Sequence, residues 1–114
     1  MKTPQELKEE YRQKKFRIGV FQIRNVLNNK IYIGSSVNLD AIWNRSQMEL
    51  NLGGHRNVAL QTEWKQFGPE NFMFEVLFEL EPQDNDQTDY SKEVKKLEKM
   101  YLEELKPFDS KGYH

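Results

Sequence analysis

Two β-prone runs joined by a turn at Asn28-Asn29 constrain this chain more than any other feature. The first, residues 16–25, reads Phe-Arg-Ile-Gly-Val-Phe-Gln-Ile-Arg-Asn. It is rich in β-branched and aromatic residues, as strands are. Asn tolerates a positive φ at little cost, so the pair marks a turn. Lys30 to Ser35 then reads as the returning strand of a β-hairpin. Side chains alternate across a sheet. A hairpin loop of two or of four residues therefore sets Phe21, Ile23, Tyr32 and Gly34 on one face. The four-residue loop puts Phe21 opposite Gly34, where the missing side chain leaves space for a phosphate or a metal.

The remaining pattern predicts helices and one more strand. Residues 3–15 read as a covering helix, with Thr3 as N-cap, Pro4 at the first position and Glu6 closing a capping box. Leu39, Ile42, Trp43 and Leu50 share a helical face, and Gly53-Gly54 ends that helix. A second helix starts near Asn57, carries Leu60, Trp64 and Phe67 inward and stops at Gly68. Phe72 to Glu81 is almost wholly apolar, which predicts a strand buried on both faces. Residues 82–88 read as a polar loop, and 90–106 as a last helix stopped by Pro107. The predicted order is α-β-β-α-α-β-α. It gives an α+β fold: a small three-stranded antiparallel sheet flanked by helices, with residues 1–16 as cover and 17–114 as the domain proper.

Composition narrows the class. The chain has 114 residues, which suits a single domain. It has no cysteine, excluding disulfide scaffolds, zinc–thiolate sites and a Cys nucleophile. No apolar stretch reaches the roughly 18 residues of a membrane span, and the N-terminus lacks a secretion signal, so a cytoplasmic location is expected, with no membrane partner. The net charge is −1, from 17 basic and 18 acidic residues. That argues against strong sequence-blind binding to nucleic acid, which needs Lys and Arg to neutralise phosphates. Asp84-Asn85-Asp86 begins like a calcium loop, but Asp89 and Lys95 occupy the places of its glycine and glutamate.

Gly19-Val20-Phe21, followed ten residues later by Tyr32-Ile33-Gly34, resembles the paired motif of the GIY-YIG nuclease domain. Ser35-Ser36-Val37-Asn38-Leu39, then Gln61, Gly68 and Asn71-Phe72, resemble its following stretches in order. Leu97 to Leu102 resembles the helix that bears the family's metal-binding Glu. Lys106-Pro107 and Gly112-Tyr113 resemble its closing segment. The resemblance covers residues 17–114 and implies hydrolysis of a phosphodiester by water, with one divalent metal, Mg²⁺ or Mn²⁺.

Carried over position by position, the resemblance keeps two groups and loses four. Tyr32 stands where the family has the phenol that orients or deprotonates water. Glu98 stands where it has the metal-binding carboxylate; one Glu can hold Mg²⁺ that keeps waters and phosphate as its other ligands. Phe21 replaces the first-motif Tyr and cannot pass a proton. Ile42 replaces the Arg that holds the scissile phosphate, a loss on the order of 10²–10³ in rate. Ser46 stands where a His is common, and His114 where an Asn is common. Arg45, three residues after Ile42, is a candidate surrogate. His55, a loop residue expected to be solvent-exposed, matches a His of some homing-type members.

The losses fall on polar site positions while glycines and apolar residues remain. The leading expectation is a GIY-YIG endonuclease-like domain, catalytically weak or inactive, kept for binding nucleic acid or a partner. The competing readings are an active Mg-dependent DNA endonuclease using Tyr32, Glu98 and Arg45, and a protein-interaction module with no nucleic-acid role. A basic surface formed by Arg24, Arg45, Arg56 and Lys65 would favour weak DNA binding over the last.

Overall fold

The computed structural model describes residues 17–80, 90–108 and 111–114. The helix predicted over 3–15 and the polar loop over 82–88 lie outside the described residues. Strand β1 spans Ile18–Asn25 and β2 spans Ile31–Ser36. Helix α1 spans Leu39–Leu52 and α2 spans Val58–Phe67. A 3-10 turn at Pro69–Asn71 leads into β3, Phe72–Leu80, and α3 spans Tyr90–Leu105. The sheet is antiparallel, in the order β2-β1-β3, so the hairpin's first strand is central.

The hairpin adopts the four-residue loop. Phe21 pairs with Gly34 and Arg24 with Ile31. Asn29 takes a φ of 60°, and the Asn25 and Asn28 side chains accept the Leu27 and Lys30 N–H groups. The space expected above Gly34 is absent. A Cβ there would lie 2.5 Å from Cζ of Phe21, so the glycine makes room for its cross-strand aromatic. At Gly19 a Cβ would collide with the Phe78 carbonyl oxygen, so β1 and β3 approach there only through glycine. Just beyond, a register shift between Val20 and Phe21 leaves Leu77 unpaired on β3. The Tyr101 hydroxyl of α3 donates to the Leu77 carbonyl at 3.3 Å.

Helices α1 and α2 cover the face that carries Phe21, Ile23 and Tyr32. Leu39, Leu50, Leu60, Trp64 and Phe72 complete a buried core there, with Ile42 and Trp43 packed at its margin. Both helix starts are capped by side chains: Asn38 accepts the Ala41 N–H at 3.1 Å and Asn57 the Leu60 N–H at 2.9 Å. The opposite face lies under α3, whose Val94 is buried.

Strand β3 departs from expectation. It is an edge strand rather than one buried on both faces, and Met73 and Phe78 are 48% and 42% exposed. Helix α3 lies chiefly over β1 and β2. A helix about 10 Å wide spans about two strands at roughly 4.8 Å spacing, so the third stays partly open.

The C-terminal residues complete the sheet. After Pro107, Gly112 bridges Ile31 in parallel, and the Tyr113 N–H donates to the Ile31 carbonyl at 3.0 Å. The His114 N–H donates to the Pro107 carbonyl at 3.1 Å. Tyr113 joins the core, and burial pushes its phenol up to about 12.

Leu60 is wholly buried, whereas Met100 is 61% exposed. In urea unfolding, Leu60→Ala should cost about 2–5 kcal/mol, as large core truncations do. Met100→Ala should stay within about 0.5 kcal/mol, as surface changes do.

Candidate active site

The candidate site forms at the outer edge of β2, where the α1–α2 loop and the C-terminus meet. Tyr32 is its centre. The His114 ring stacks on the Tyr32 ring at 5.0 Å between centroids, nearly parallel at 9°. The His55 ring meets it edge-on at 5.5 Å. The Arg56 guanidinium reaches the Tyr32 hydroxyl, Nη2 to oxygen 3.5 Å, the outer limit of hydrogen bonding. A guanidinium only donates, so it takes one acceptor position on the phenol. The phenol's own proton is left to orient another oxygen.

The loop that presents His55 and Arg56 is fixed by Gln61 of α2. The Gln61 amide donates to the Leu50 carbonyl at 2.8 Å and accepts the His55 N–H at 3.0 Å. Asn57 then caps α2, and its amide donates to the Tyr113 carbonyl at 3.0 Å. One short segment thus ties the end of α1, the start of α2 and the C-terminus together.

The two histidines are neutral by construction. His55 Nδ1 accepts the Asn57 N–H at 3.0 Å, and His114 Nε2 accepts the Ile33 N–H at 2.8 Å. A ring nitrogen that receives an N–H carries no proton, so the remaining proton sits on Nε2 of His55 and Nδ1 of His114. Burial lowers both from the ordinary value of 6.5, against the opposing pull of Glu49 on His55 and of Glu98 on His114. His55 is half-buried and in contact with Tyr32, not the exposed loop residue expected from sequence.

Glu98 comes from α3, around the β2 edge. Its Oε1 accepts the Ser35 hydroxyl at 3.1 Å, and Lys95 Nζ lies 3.9 Å from Oε2. Its side chain keeps 19% exposure. Glu98, Tyr32, Arg56 and His114 line one open cavity of about 370 Å³. The described residues contain no group of three or more His, Asp or Glu placed to hold a metal. Glu98 is the acidic side chain of the cavity lining, and a lone carboxylate suits a hard divalent cation that would draw its other ligands from water and phosphate.

A second cavity, about 180 Å³, lies on the helical side of Tyr32. Phe21, Ile42 and Ser46, where the resemblance implies polar groups, line it. Arg45 lines it too, but its Nε is held by Glu49 at 2.8 Å and its side chain is 74% exposed. Arg56 also lines this cavity, and so faces both. Arg24 and Lys65 do not join them. Arg24 is paired with Glu75 at 2.7 Å, holding that carboxyl below its usual value, and Lys65 approaches Gly53 at the end of α1. Of the four residues of the expected basic surface, only Arg45 and Arg56 line these cavities. The sequence marked Arg56 only as part of that surface; its adjacency to His55 was the signal for a place in the site.

The three-stranded antiparallel sheet and its flanking helices are similar to the catalytic domain of intron endonuclease I-TevI, a likeness that supports a GIY-YIG-like domain. A mutant form of that enzyme's catalytic domain matches with a TM-score of 0.72 and 26% identity, over 87% of this chain and 93% of the domain. Another structure, of the catalytic domain of homing endonuclease I-TevI, matches with a TM-score of 0.69 and 28% identity, over 84% and 95%. Among curated proteins, the Intron-associated endonuclease 1 of Enterobacteria phage T4 is 38% identical over 50 residues. Those residues are 44% of this chain and 20% of the phage protein. No protein-family model matches the chain. Among the described residues, no helix is long and apolar enough to cross a membrane.

Because the fold holds both histidines neutral, the unfolded chain binds more protons just below the ordinary imidazole value, and stability rises with pH there. On acidification from about pH 7 to about pH 5, the melting temperature should fall. The fall should be shallower in the His55→Gln, His114→Gln double variant, whose amides can still accept the two backbone N–H groups. Equal slopes in thermal melts would contradict the assignment.

Proposed function

We propose that this GIY-YIG-like domain binds nucleic-acid phosphate at the β2 edge and hydrolyses the phosphodiester slowly, with Mg²⁺ or Mn²⁺. The observation that carries the reading is the convergence of Tyr32, Arg56, His114 and Glu98 on one cavity. Intact core packing beside apolar side chains at polar family positions supports the slowness: Phe21 brings no hydroxyl and Ile42 no guanidinium to the neighbouring cavity. In this reading Glu98 holds the cation, which supplies charge neutralisation at the phosphate when bound. The Tyr32 phenol, fixed by two ring contacts, orients the attacking water. His114, with its proton on Nδ1, and His55, with its proton on Nε2, are neutral donors at the margins. Binding to DNA is weak, since the net charge is −1. Such a domain works in the cytoplasm, beside its nucleic acid.

A protein-partner role without nucleic acid is the competing reading. It is favoured by the pairing of Arg17, Arg24 and Arg45 with carboxylates, which ties up three of the four described arginines.

Nicking of supercoiled plasmid with Mg²⁺ or Mn²⁺ separates them. The protein should nick slowly, and Glu98→Ala should abolish nicking without loss of fold. Restoring Tyr at 21, Arg at 42 and His at 46 together should raise the rate by on the order of 10² or more. No nicking and no duplex binding by either form would leave the partner reading.

A further inference from the structure

We propose that Arg56 is the residue that holds the substrate phosphate in this chain, in place of the guanidinium missing at position 42. The proposal rests on the phosphodiester reading above and assigns the anion-binding group within it.

Four arginines lie among the described residues, and three of them are neutralised. Arg17 pairs with Asp40 at 3.2 Å and Glu79 at 3.3 Å. Arg24 pairs with Glu75 at 2.7 Å, and Arg45 with Glu49 at 2.8 Å. Arg56 has no carboxylate at ion-pair distance among the described residues; its side-chain hydrogen bond goes to the neutral Tyr32 phenol. It is therefore a guanidinium facing a cavity with donors to spare. That is the condition for receiving an anion rather than closing an internal ion pair.

Position agrees with charge. Ile42 and Arg56 line the same cavity, from opposite sources: Ile42 from within α1, Arg56 from the loop after it. A cation lost from the helix is thus matched by one entering the same space from the loop. Arg56 also lines the cavity of Glu98, so its charge reaches a phosphate beside the Glu98 carboxylate. The loop holds its place, because the Gln61 clamp and the Asn57 cap flank Arg56 on both sides. A guanidinium offers five donors in a planar fork, which matches two non-bridging phosphate oxygens.

Arg45 is the rival. Its Nε is already engaged by Glu49, and most of its side chain is in solvent. A phosphate at Arg45 would share the guanidinium with the Glu49 carboxylate, whose charge already offsets it.

The test follows arginine Nε–Hε resonances of the whole chain by NMR, titrated first with inorganic phosphate and then with a short DNA duplex, without metal. The Arg56 resonance should shift most with both probes and saturate. Arg56→Ala should weaken duplex binding about tenfold and lower the slope of log affinity against log salt by about 1. Arg56→Lys should recover part of the affinity, and Ile42→Arg placed in Arg56→Ala should recover more. Arg17→Ala should leave binding unchanged. A shift centred on Arg45, or an unchanged salt slope in Arg56→Ala, overturns the assignment. If phosphate moves Arg56 while the duplex does not bind, the anion site stands and the nucleic-acid reading falls. If the duplex binds with Arg56 unmoved, the reading stands and the assignment falls. If neither probe binds, both fall.

Discussion

The outer edge of β2 is the constraint on which the site depends. An edge strand presents N–H and carbonyl groups that need partners. Here the chain's own C-terminus supplies them: Tyr113 donates to Ile31, and Ile33 donates to the imidazole of His114. That second bond is a side chain taking the place of a strand. It lays the His114 ring on Tyr32. Tyr32, Ile33 and His114 all line the cavity at this edge. The partner of one backbone N–H thus helps to shape the cavity wall.

The same edge explains how groups from both faces of the sheet reach one cavity. Tyr32 points to the helical pair α1 and α2, whereas Ser35 points to α3 and fixes Glu98. In a central strand these two side chains would be separated by the sheet itself. At an edge they meet around its rim, with Arg56 and His114 between them. The carboxylate still pulls on His114 from there, and burial of the imidazole outweighs that pull.

What the sequence made legible follows from periodicity. The alternation of Phe21, Ile23, Tyr32 and Gly34 gave the shared face, and the pairing of Phe21 with Gly34 is the one the four-residue loop requires. The helical faces and the stops at Gly53 and Gly68 also follow local rules, and the structure keeps them. Three expectations needed tertiary information. Gly34 has no side chain, but the ring it faces fills the gap, and no local rule says which way Phe21 leans. Strand β3 is as apolar as a buried strand, yet α3 is too narrow to cover it. His55 looked exposed because its loop has no period; its burial comes from Gln61, six residues on, which accepts its backbone N–H.

Arg56 belongs to this last class, and it changes the weight of the missing groups. A residue-by-residue comparison treats a lost side chain as a lost function, because it tests one position at a time. Charge in a cavity is not bound to one position. What a phosphate requires is a positive fork at a given point in space, and the fold offers two routes to it, one along α1 and one along the loop that follows. The helix route now carries Ile42, which extends the core beside Trp43. The loop route carries a guanidinium whose backbone neighbours are tied at both sides. A loop anchor holds its side chain less firmly than a helix, since the free side chain keeps more of its rotamer freedom. The contact to Tyr32, long as it is, recovers part of that order. Under the proposed assignment, that loss of order predicts weaker transition-state stabilisation rather than none.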